Sequence, residues 1–353
     1  PALLVYPDRI RHNIALMLRL AGDANRLRPH IKTHKTAEII RMQQQAGIHK
    51  FKCATIAEAE LLGQCGAKDI LLAYQPVGPD QQRLFRLIRA YPESRFSALV
   101  DAPEPLEALG SLAVQNETVL GVFLDLNVGM DRTGISPGEG AMACYRRIAE
   151  HPGLQARGLH AYDGHLRQQD FQDRKAESDR AFREVEALRD RLESAGLPVP
   201  AIIAGGSPTF PVHALRSGVE LSPGTTLLWD ARYGSSFPDM DFLPAAVLLS
   251  RLVSKPATGK VCLDLGHKAI APEMDFPRVQ LLGLEDCQQV GQSEEHLVLQ
   301  CPDTGAWHPG MVVYGIPMHI CPTVAKYPRL LVVENGSITD TWEVAARDYQ
   351  IHI

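Results

Sequence analysis

Short apolar runs alternate with longer amphipathic segments from about residue 10 to residue 235 of this 353-residue chain. The apolar runs have the length of buried strands, and the segments between them repeat apolar residues at the spacing of helices. The clearest helix is predicted over 170–195, where Phe182, Val185, Leu188 and Leu192 share one face and Gly196 follows as a stop signal. The other predicted helices include 36–46, 56–65, 80–90 and 138–150, and the predicted strands are 27–31, 50–53, 70–73, 96–100, 119–126, 158–162, 201–204 and 219–221.

Eight successive strand–helix periods predict an α/β fold, a (β/α)8 TIM-type barrel over residues 8–240, rather than an open doubly wound sheet. The pattern then changes, because no long helical period appears after residue 242. Strand-like runs separated by Gly, Pro and Asn occur at 245–253, 260–265, 296–301, 311–316 and 329–333. We therefore expect a C-terminal β domain over residues 241–353, to which a strand within residues 1–7 is added.

Composition and charge exclude several classes of partner. The net charge of -5 gives no support to binding of nucleic acid or an anionic membrane. No apolar run approaches the roughly 20 residues that a membrane span requires. The seven cysteines are scattered and include no Cys-x-x-Cys pair, so no disulfide framework is expected and a cytoplasmic location is predicted.

A basic octapeptide, RPHIKTHK at residues 28–35, lies where the first barrel strand should end. Barrels place their chemistry at the carboxyl ends of the strands. A lysine amine in apolar surroundings loses its charge and becomes nucleophilic, as a Schiff-base lysine requires. Lys32 and Lys35 are therefore candidates for covalent chemistry, and the alternative is a solvated basic turn. His30 is expected to orient the lysine or to pack beneath a cofactor.

Further polar residues follow the later strands. Arg132 lies in a glycine-containing turn after strand five. The other candidates are His160, Tyr162 and His165 at strand six, Gly205, Gly206, Ser207 and Thr209 after strand seven, and Gly224 and Thr225 after strand eight. Loops of glycines and hydroxyl residues at the last two strands are suited to a phosphate, since backbone N–H groups can approach its oxygens closely. A phosphate site with an amine-bearing pocket predicts pyridoxal 5′-phosphate as the cofactor.

A His-x-Cys pair, His319 and Cys321, lies near the other end of the chain. On a strand, positions i and i+2 point the same way, so both side chains can reach one ion. A thiolate with an imidazole favours zinc, and two protein ligands leave positions open for water and substrate. The alternative is a buried structural cysteine beside an unrelated histidine.

These motifs together resemble the D-threonine aldolase/D-serine dehydratase family, whose fold matches that of bacterial alanine racemase. The resemblance runs from Ala2 to the C-terminal strands and implies that Lys32, not Lys35, forms the Schiff base. It implies that Arg132 contacts the cofactor's phenolic oxygen, that the loops 205–209 and 223–225 bind its phosphate, and that His319 and Cys321 hold a divalent metal, zinc, manganese or magnesium. Tyr162 is similar to a tyrosine of the aldolases that lies with the catalytic residues and the cofactor.

The resemblance implies a lyase acting on small D-amino acids with a β-hydroxyl group, with cleavage to glycine and an aldehyde as the first expectation. His165, His160 and metal-bound water are the candidate bases, in that order. The alternatives are D-serine or 3-hydroxy-D-aspartate dehydratase activity, which Cys321 favours, an amino-acid racemase, and a non-catalytic pyridoxal-phosphate protein. The chain departs from both subgroups. The dehydratases carry Tyr-Ala-His where it has His-Ala-Tyr at 160–162, and the aldolases carry a histidine where it has Gln168. A homodimer is expected by analogy.

Overall fold

The computed structural model describes residues 1–353, and the chain divides into two compact units. The β unit comprises residues 1–16, 33–39 and 225–348, and the barrel unit comprises residues 17–32, 40–224 and 349–353. In chain order the strands and α-helices are β1 (Ala2–Val5), α1 (Pro7–Ala21), α2 (Ala37–Gln45), β2 (Lys50–Cys53), α3 (Ile56–Gln64), β3 (Asp69–Leu72), α4 (Pro79–Ala90), β4 (Arg95–Val100), α5 (Pro103–Gln115), β5 (Leu120–Leu126), α6 (Glu139–Glu150), β6 (Leu154–Ala161), α7 (Phe171–Ser194), β7 (Ile202–Ala204), α8 (Phe210–Ala214), β8 (Val219–Leu221), α9 (Ala231–Ser236), β9 (Ala246–Ala257), β10 (Lys260–Leu263), β11 (Val279–Leu281), β12 (Gln288–Gln292), β13 (Leu297–Gln300), β14 (Val312–Pro317), α10 (Ile320–Val324), β15 (Arg329–Glu334) and β16 (Ser337–Glu343). None of the helices combines the length and the apolarity that crossing a membrane requires.

The barrel unit is built on a parallel sheet in which β2 to β8 lie side by side in sequence order. The predicted first strand does not form as a regular strand. Instead, Leu27 bridges to Leu221 of β8 and His30 bridges to Lys52 of β2. Pro29 has no N–H to donate to a ladder, which explains why two isolated bridges fill the eighth position between β8 and β2. The barrel is therefore confirmed as the fold. Its first strand position is occupied by an irregular segment instead of the predicted strand.

The long helix α7 begins and ends within one residue of its predicted bounds. The side chain of Asp170 accepts hydrogen bonds from the backbone N–H groups of Gln172 and Asp173, which otherwise have no partner in the first helical turn. All four residues of the predicted apolar face are buried. Gly196 follows the helix at φ +76°, a left-handed conformation that glycine adopts without strain. Local sequence signals therefore determine this element.

Arg28, the first residue of the basic octapeptide, is fully buried in an ionic cluster. Its guanidinium lies 2.7 Å from Asp69 at the start of β3 and 2.7 Å from Glu220 in β8, and Arg157 also contacts Asp69 at 3.1 Å. Burial opposes ionisation of Asp69, but these arginines outweigh it and hold the pKa of that carboxyl well below its usual range. Arg28 therefore has a structural role in the barrel, and not every basic residue of the octapeptide is a candidate for catalysis.

The β unit contains a mixed sheet in the order β12-β13-β10-β9-β1-β15-β16, with β14 pairing with β9 and β11. The opening strand β1 lies inside this sheet, antiparallel to β9 and parallel to β15. The runs predicted beyond residue 245 correspond to β9, β10, β13, β14 and β15, whereas β11, β12 and β16 were not predicted. Cys287 and Cys301 form a disulfide in this unit, which the scattered spacing of the cysteines did not reveal.

Candidate active site

Lys32 lies on a short 3-10 helix, Ile31–Thr33, directly after the segment that completes the barrel. The side chain of His30 holds this position, because its Nδ1 accepts a hydrogen bond of 3.1 Å from the backbone N–H of Lys32. His30 is itself buried, and its backbone N–H donates to the carbonyl of Pro223. His30 thus orients the backbone of Lys32, which is one of the two roles predicted for it.

The ring of Tyr162 is the common neighbour of three cationic side chains. Lys32 Nζ lies 5.8 Å, Lys52 Nζ 5.7 Å and Arg132 Cζ 5.1 Å from the ring centroid. Such distances allow attraction between a cation and the negative face of the ring. The structure therefore brings together Lys32, Arg132 and Tyr162 as predicted, and adds Lys52, which the sequence reasoning missed.

Lys52 belongs to a buried chain of three polar groups contributed by β2, β6 and β5. Its Nζ lies 3.3 Å from His160 Nε2, and His160 Nδ1 lies 2.7 Å from Asp125 Oδ1. A protonated lysine can only donate, so His160 Nε2 accepts and the ring proton is on Nδ1, where it is donated to Asp125. Burial and the nearby charge of Lys52 lower the pKa of His160, which keeps the ring neutral.

This chain limits the catalytic role predicted for His160. While Lys52 is charged, the only lone pair of the neutral imidazole faces the lysine amine and cannot accept a proton from a substrate. Burial and the charge of Lys32 lower the pKa of Lys52 to about 7, so the restriction depends on pH. The signal that could have revealed Lys52 is its place in a strand: a lysine between Phe51 and Cys53 that points into a barrel is unusual.

Replacing Lys52 with methionine is expected to raise the free energy of unfolding more at pH 6 than at pH 9. The unfolded chain keeps the ordinary lysine pKa of 10.5, whereas the folded value is about 7. Between these values the unfolded chain binds more protons, so the stability of the wild type rises with pH, and this slope is absent from the variant. The difference in the free energy of unfolding between the variant and the wild type should shrink by about 2–3 kcal/mol from pH 6 to pH 9.

Urea unfolding of both proteins at the two pH values measures this difference. Lys68→Met, at an exposed lysine, is the matched control and should show no such pH dependence. An advantage of Lys52→Met that is the same at both pH values would contradict the assignment of a depressed lysine pKa.

His165 occupies a different environment from His160. It is exposed in the segment after β6, and its ring lies against the turn after β5, since a Cβ placed on Gly129 would come within 3.1 Å of His165 Nε2. Gly129 has φ +109°, a backbone conformation that favours glycine at this position. His165 is thus near the turn that carries Arg132.

The two loops predicted to bind phosphate contact one another. The backbone N–H of Gly224 donates to Ser207 Oγ at 3.2 Å, which joins the loop after β8 to the loop after β7. Gly206 lies against Tyr162, because a Cβ there would be 2.9 Å from the ring. Thr225 is buried at the start of a 3-10 helix, Thr225–Leu227. The loops therefore meet beside the ring that Lys32 and Arg132 also approach, which is the arrangement a phosphate-bearing pyridine ring needs.

His319 and Cys321 are not on a strand, which corrects the basis of their prediction. Strand β14 ends at Pro317, and His319 is the extended residue immediately before α10, whose second residue is Cys321. Burial opposes ionisation of His319, but the Cys321 thiol and the Glu273 carboxylate, whose Oε1 lies 2.5 Å from His319 Nδ1, outweigh it and raise the pKa of His319. The pair therefore lies at the start of a helix and not on one face of a strand.

The donor set of this pair is chemically suited to a metal ion. With Nδ1 engaged by Glu273, His319 presents Nε2, and a carboxylate behind a ligating histidine is common at metal sites. The thiol of Cys321 lies 3.1 Å from Thr33 Oγ1 and 3.6 Å from Thr225 Oγ1. No group of three or more His, Cys, Asp or Glu side chains is placed to hold a metal, and the predicted pair would supply two ligands.

Comparisons with known proteins identify the family to which this chain is similar. The family model of the alanine racemase N-terminal domain matches residues 5–231, and that of a serine dehydratase domain matches residues 245–333. A D-threonine aldolase of Arthrobacter sp is 30% identical over 335 residues, which cover 92% of this chain and 86% of that protein. A 3-hydroxy-D-aspartate aldolase of Paracoccus denitrificans (strain Pd 1222) is 28% identical over 360 residues, 98% of this chain and 92% of the relative. The crystal structure of D-threonine aldolase from Filomicrobium marinum superposes with a TM-score of 0.92 at 25% identity, covering 99% of this chain and 96% of that one.

Proposed function

The chain belongs to the alanine racemase-like family of D-threonine aldolases and D-serine dehydratases, which are pyridoxal-phosphate-dependent lyases, and from that premise we propose that it cleaves D-β-hydroxy amino acids to glycine and an aldehyde. One observation favours a lyase over a racemase. His319 and Cys321 would act as two metal donors, and the thiol of Cys321 contacts Thr33 and Thr225, the residues that directly follow Lys32 and Gly224 in the chain. A racemase exchanges only a Cα proton and has no use for such a pair.

The residues around Tyr162 fit pyridoxal phosphate. Lys32 supplies the amine that attaches to the cofactor, Arg132 provides a cation for its phenolic oxygen, and the joined loops at Gly206, Ser207 and Gly224 supply close backbone for its phosphate. When bound, the cofactor withdraws electrons from Cα of an amino acid attached through its amine. Gly206 fits this role because it has no side chain: the ring of Tyr162 leaves no room for a Cβ there, so the backbone itself lies beside the ring.

The imidazole and thiol fit a divalent metal with several positions left open for oxygen ligands. His319 and Cys321 would hold it, and Glu273 would fix the ring of His319. A metal at this position supplies a Lewis acid for the β-hydroxyl group of the substrate. We propose zinc, manganese or magnesium, with the thiolate favouring zinc.

His165 is the proposed acceptor of the hydroxyl proton. His160 Nε2 is engaged by Lys52, whereas His165 is exposed and lies beside the turn of Arg132. Loss of the proton from the β-hydroxyl favours cleavage of the Cα–Cβ bond. If Lys32 instead removes the Cα proton, the hydroxyl leaves and the same site dehydrates its substrate. Cys321 favours this second candidate, a D-serine or 3-hydroxy-D-aspartate dehydratase.

Product analysis separates the two reactions. The purified protein is incubated with D-threonine and D-serine, and the products are identified as glycine plus aldehyde or as ketoacid plus ammonia. We expect glycine and acetaldehyde from D-threonine, with L-threonine as the stereochemical control. Ketoacid and ammonia as the main products would establish the dehydratase instead, and racemised substrate with neither product set would exclude both lyase reactions.

A further inference from the structure

A second buried chain of polar groups runs behind the loop after β7, and it takes no part in the chemistry described above. Arg216 Nη1 lies 2.9 Å from His213 Nδ1, and His213 Nε2 lies 2.8 Å from Asp163 Oδ2. The other carboxylate oxygen of Asp163 accepts a 2.7 Å hydrogen bond from Thr209 Oγ1. Thr209 Oγ1 in turn accepts from the backbone N–H of Gly206 at 3.3 Å.

The direction of every hydrogen bond in this chain is fixed by its first member. A guanidinium can only donate, so His213 Nδ1 accepts and the ring proton must be on Nε2. Nε2 therefore donates to Asp163, and the hydroxyl proton of Thr209 goes to the second oxygen of the same carboxylate. A lone pair of Thr209 Oγ1 is then left for the N–H of Gly206. Each donor meets an acceptor, with no alternative arrangement.

The three central residues of this chain are buried and come from three separate segments of the barrel unit. Asp163 follows β6, Thr209 lies in the loop after β7, and His213 lies on α8, and each is at most 3% exposed. The ring of His213 also touches the loop directly, because a Cβ on Gly205 would be 2.6 Å from His213 Cδ2. Gly205 has φ +78°, so the loop turns tightly over that ring.

Thr209 was predicted to contact the cofactor, but its hydroxyl proton and a lone pair are already used. Asp163, an anion close to a predicted phosphate loop, would repel a phosphate if its oxygens faced it. Both oxygens are instead turned toward Thr209 and His213, and Arg216 carries a compensating charge beyond the imidazole. The carboxylate is therefore an internal acceptor that holds the loop.

We propose that Asp163, His213 and Thr209 are positioning residues that set the loop 205–209 in the conformation that binds the phosphate of the cofactor. The proposal rests on the proposed function, since it assumes that pyridoxal phosphate binds at this loop. The three residues act through the backbone of Gly205 and Gly206 and do not touch the phosphate themselves. Their contribution is specific to the phosphate and not to the pyridine ring.

The test compares two ligands that differ only in the phosphate. Dissociation constants of pyridoxal 5′-phosphate and of pyridoxal are measured for the wild type, Thr209→Val, Thr209→Ser and Asp163→Asn by equilibrium dialysis. Thr209→Val should weaken pyridoxal phosphate about tenfold or more, because a hydrogen bond to a charged group is lost. The affinity for pyridoxal should stay unchanged within about twofold. Thr209→Ser keeps the hydroxyl and should bind like the wild type.

Equal weakening of both ligands would overturn the proposal, since it would indicate a general structural role. Unchanged binding of pyridoxal phosphate by Thr209→Val would overturn it as well. If Thr209→Val does not fold, the same ligand comparison on Asp163→Asn decides, with a selective loss of pyridoxal phosphate expected. A wild type that binds neither ligand would refute the proposed function itself, and this outcome differs from every result expected of the variants.

Discussion

Lys32→Ala is expected to lower turnover of D-threonine by at least about a thousandfold, because the nucleophilic amine is removed and no neighbouring group can replace it. Lys52 is the nearest other amine around Tyr162, but its Nζ is engaged by His160. The variant should also lose the covalent link to the cofactor. Borohydride reduction of the wild type with pyridoxal phosphate, followed by peptide mapping, should label Lys32.

Lys35 provides the matched control within the same octapeptide. It has φ +52°, a left-handed conformation that asparagine tolerates better than most residues, so Lys35→Asn removes the amine with little backbone strain. This variant should retain labelling at Lys32 and most of its activity. Label on Lys35 or on Lys52 would refute the assignment, and so would an active Lys32→Ala variant.

His319→Ala, or chelation of the wild type, should abolish cleavage of D-β-hydroxy amino acids while the protein still binds its cofactor. The proposed metal site has only the two ligands His319 and Cys321, so removal of one should weaken metal binding by at least about a hundredfold. Lys32 and the loops at Gly206 and Gly224 belong to the barrel unit and are unchanged in this variant. The absorbance of bound cofactor should therefore persist after activity is lost.

Elemental analysis and activity measured on the same samples test this expectation. His308→Ala is the control, since His308 is an exposed histidine of the same unit whose ring bonds only to a neighbouring carbonyl. It should keep both metal and activity. Full lyase activity after chelation, with no residual metal by elemental analysis, would show that His319 and Cys321 form a structural pair and that the proposed mechanism is wrong.

The sequence by itself determined the order and type of most elements. Periodicity reports which face of a segment is buried, and α7 shows how an N-cap, four apolar residues and a terminal glycine fix a helix locally. The parallel strands follow from the same logic, because carboxyl ends of neighbouring strands meet at one edge. The sequence alone therefore groups several residues at one end of the barrel: Lys32, Arg132, Tyr162 and the two glycine loops.

Local pattern does not determine which way an individual polar side chain points when the regular ladder is interrupted. Arg28 and Lys32 belong to one basic octapeptide, yet the first is buried against Asp69 and Glu220 and the second approaches Tyr162. Pro29 breaks the strand between them, so the alternation of a regular strand does not apply. Only the tertiary structure distinguished Arg28, which is buried in an ionic cluster, from Lys32, the candidate for catalysis.

The buried polar chains were decided by tertiary structure alone, since their members are far apart in sequence. Lys52, Asp125 and His160 come from three different strands, and Asp163 meets His213 across 50 residues. Each member is an ordinary polar residue in its local sequence, and only its register in the closed sheet brings its partner within hydrogen-bond distance. The sequence thus determined the barrel and the candidate lysine Lys32, whereas packing across the barrel decided which polar groups meet in its interior.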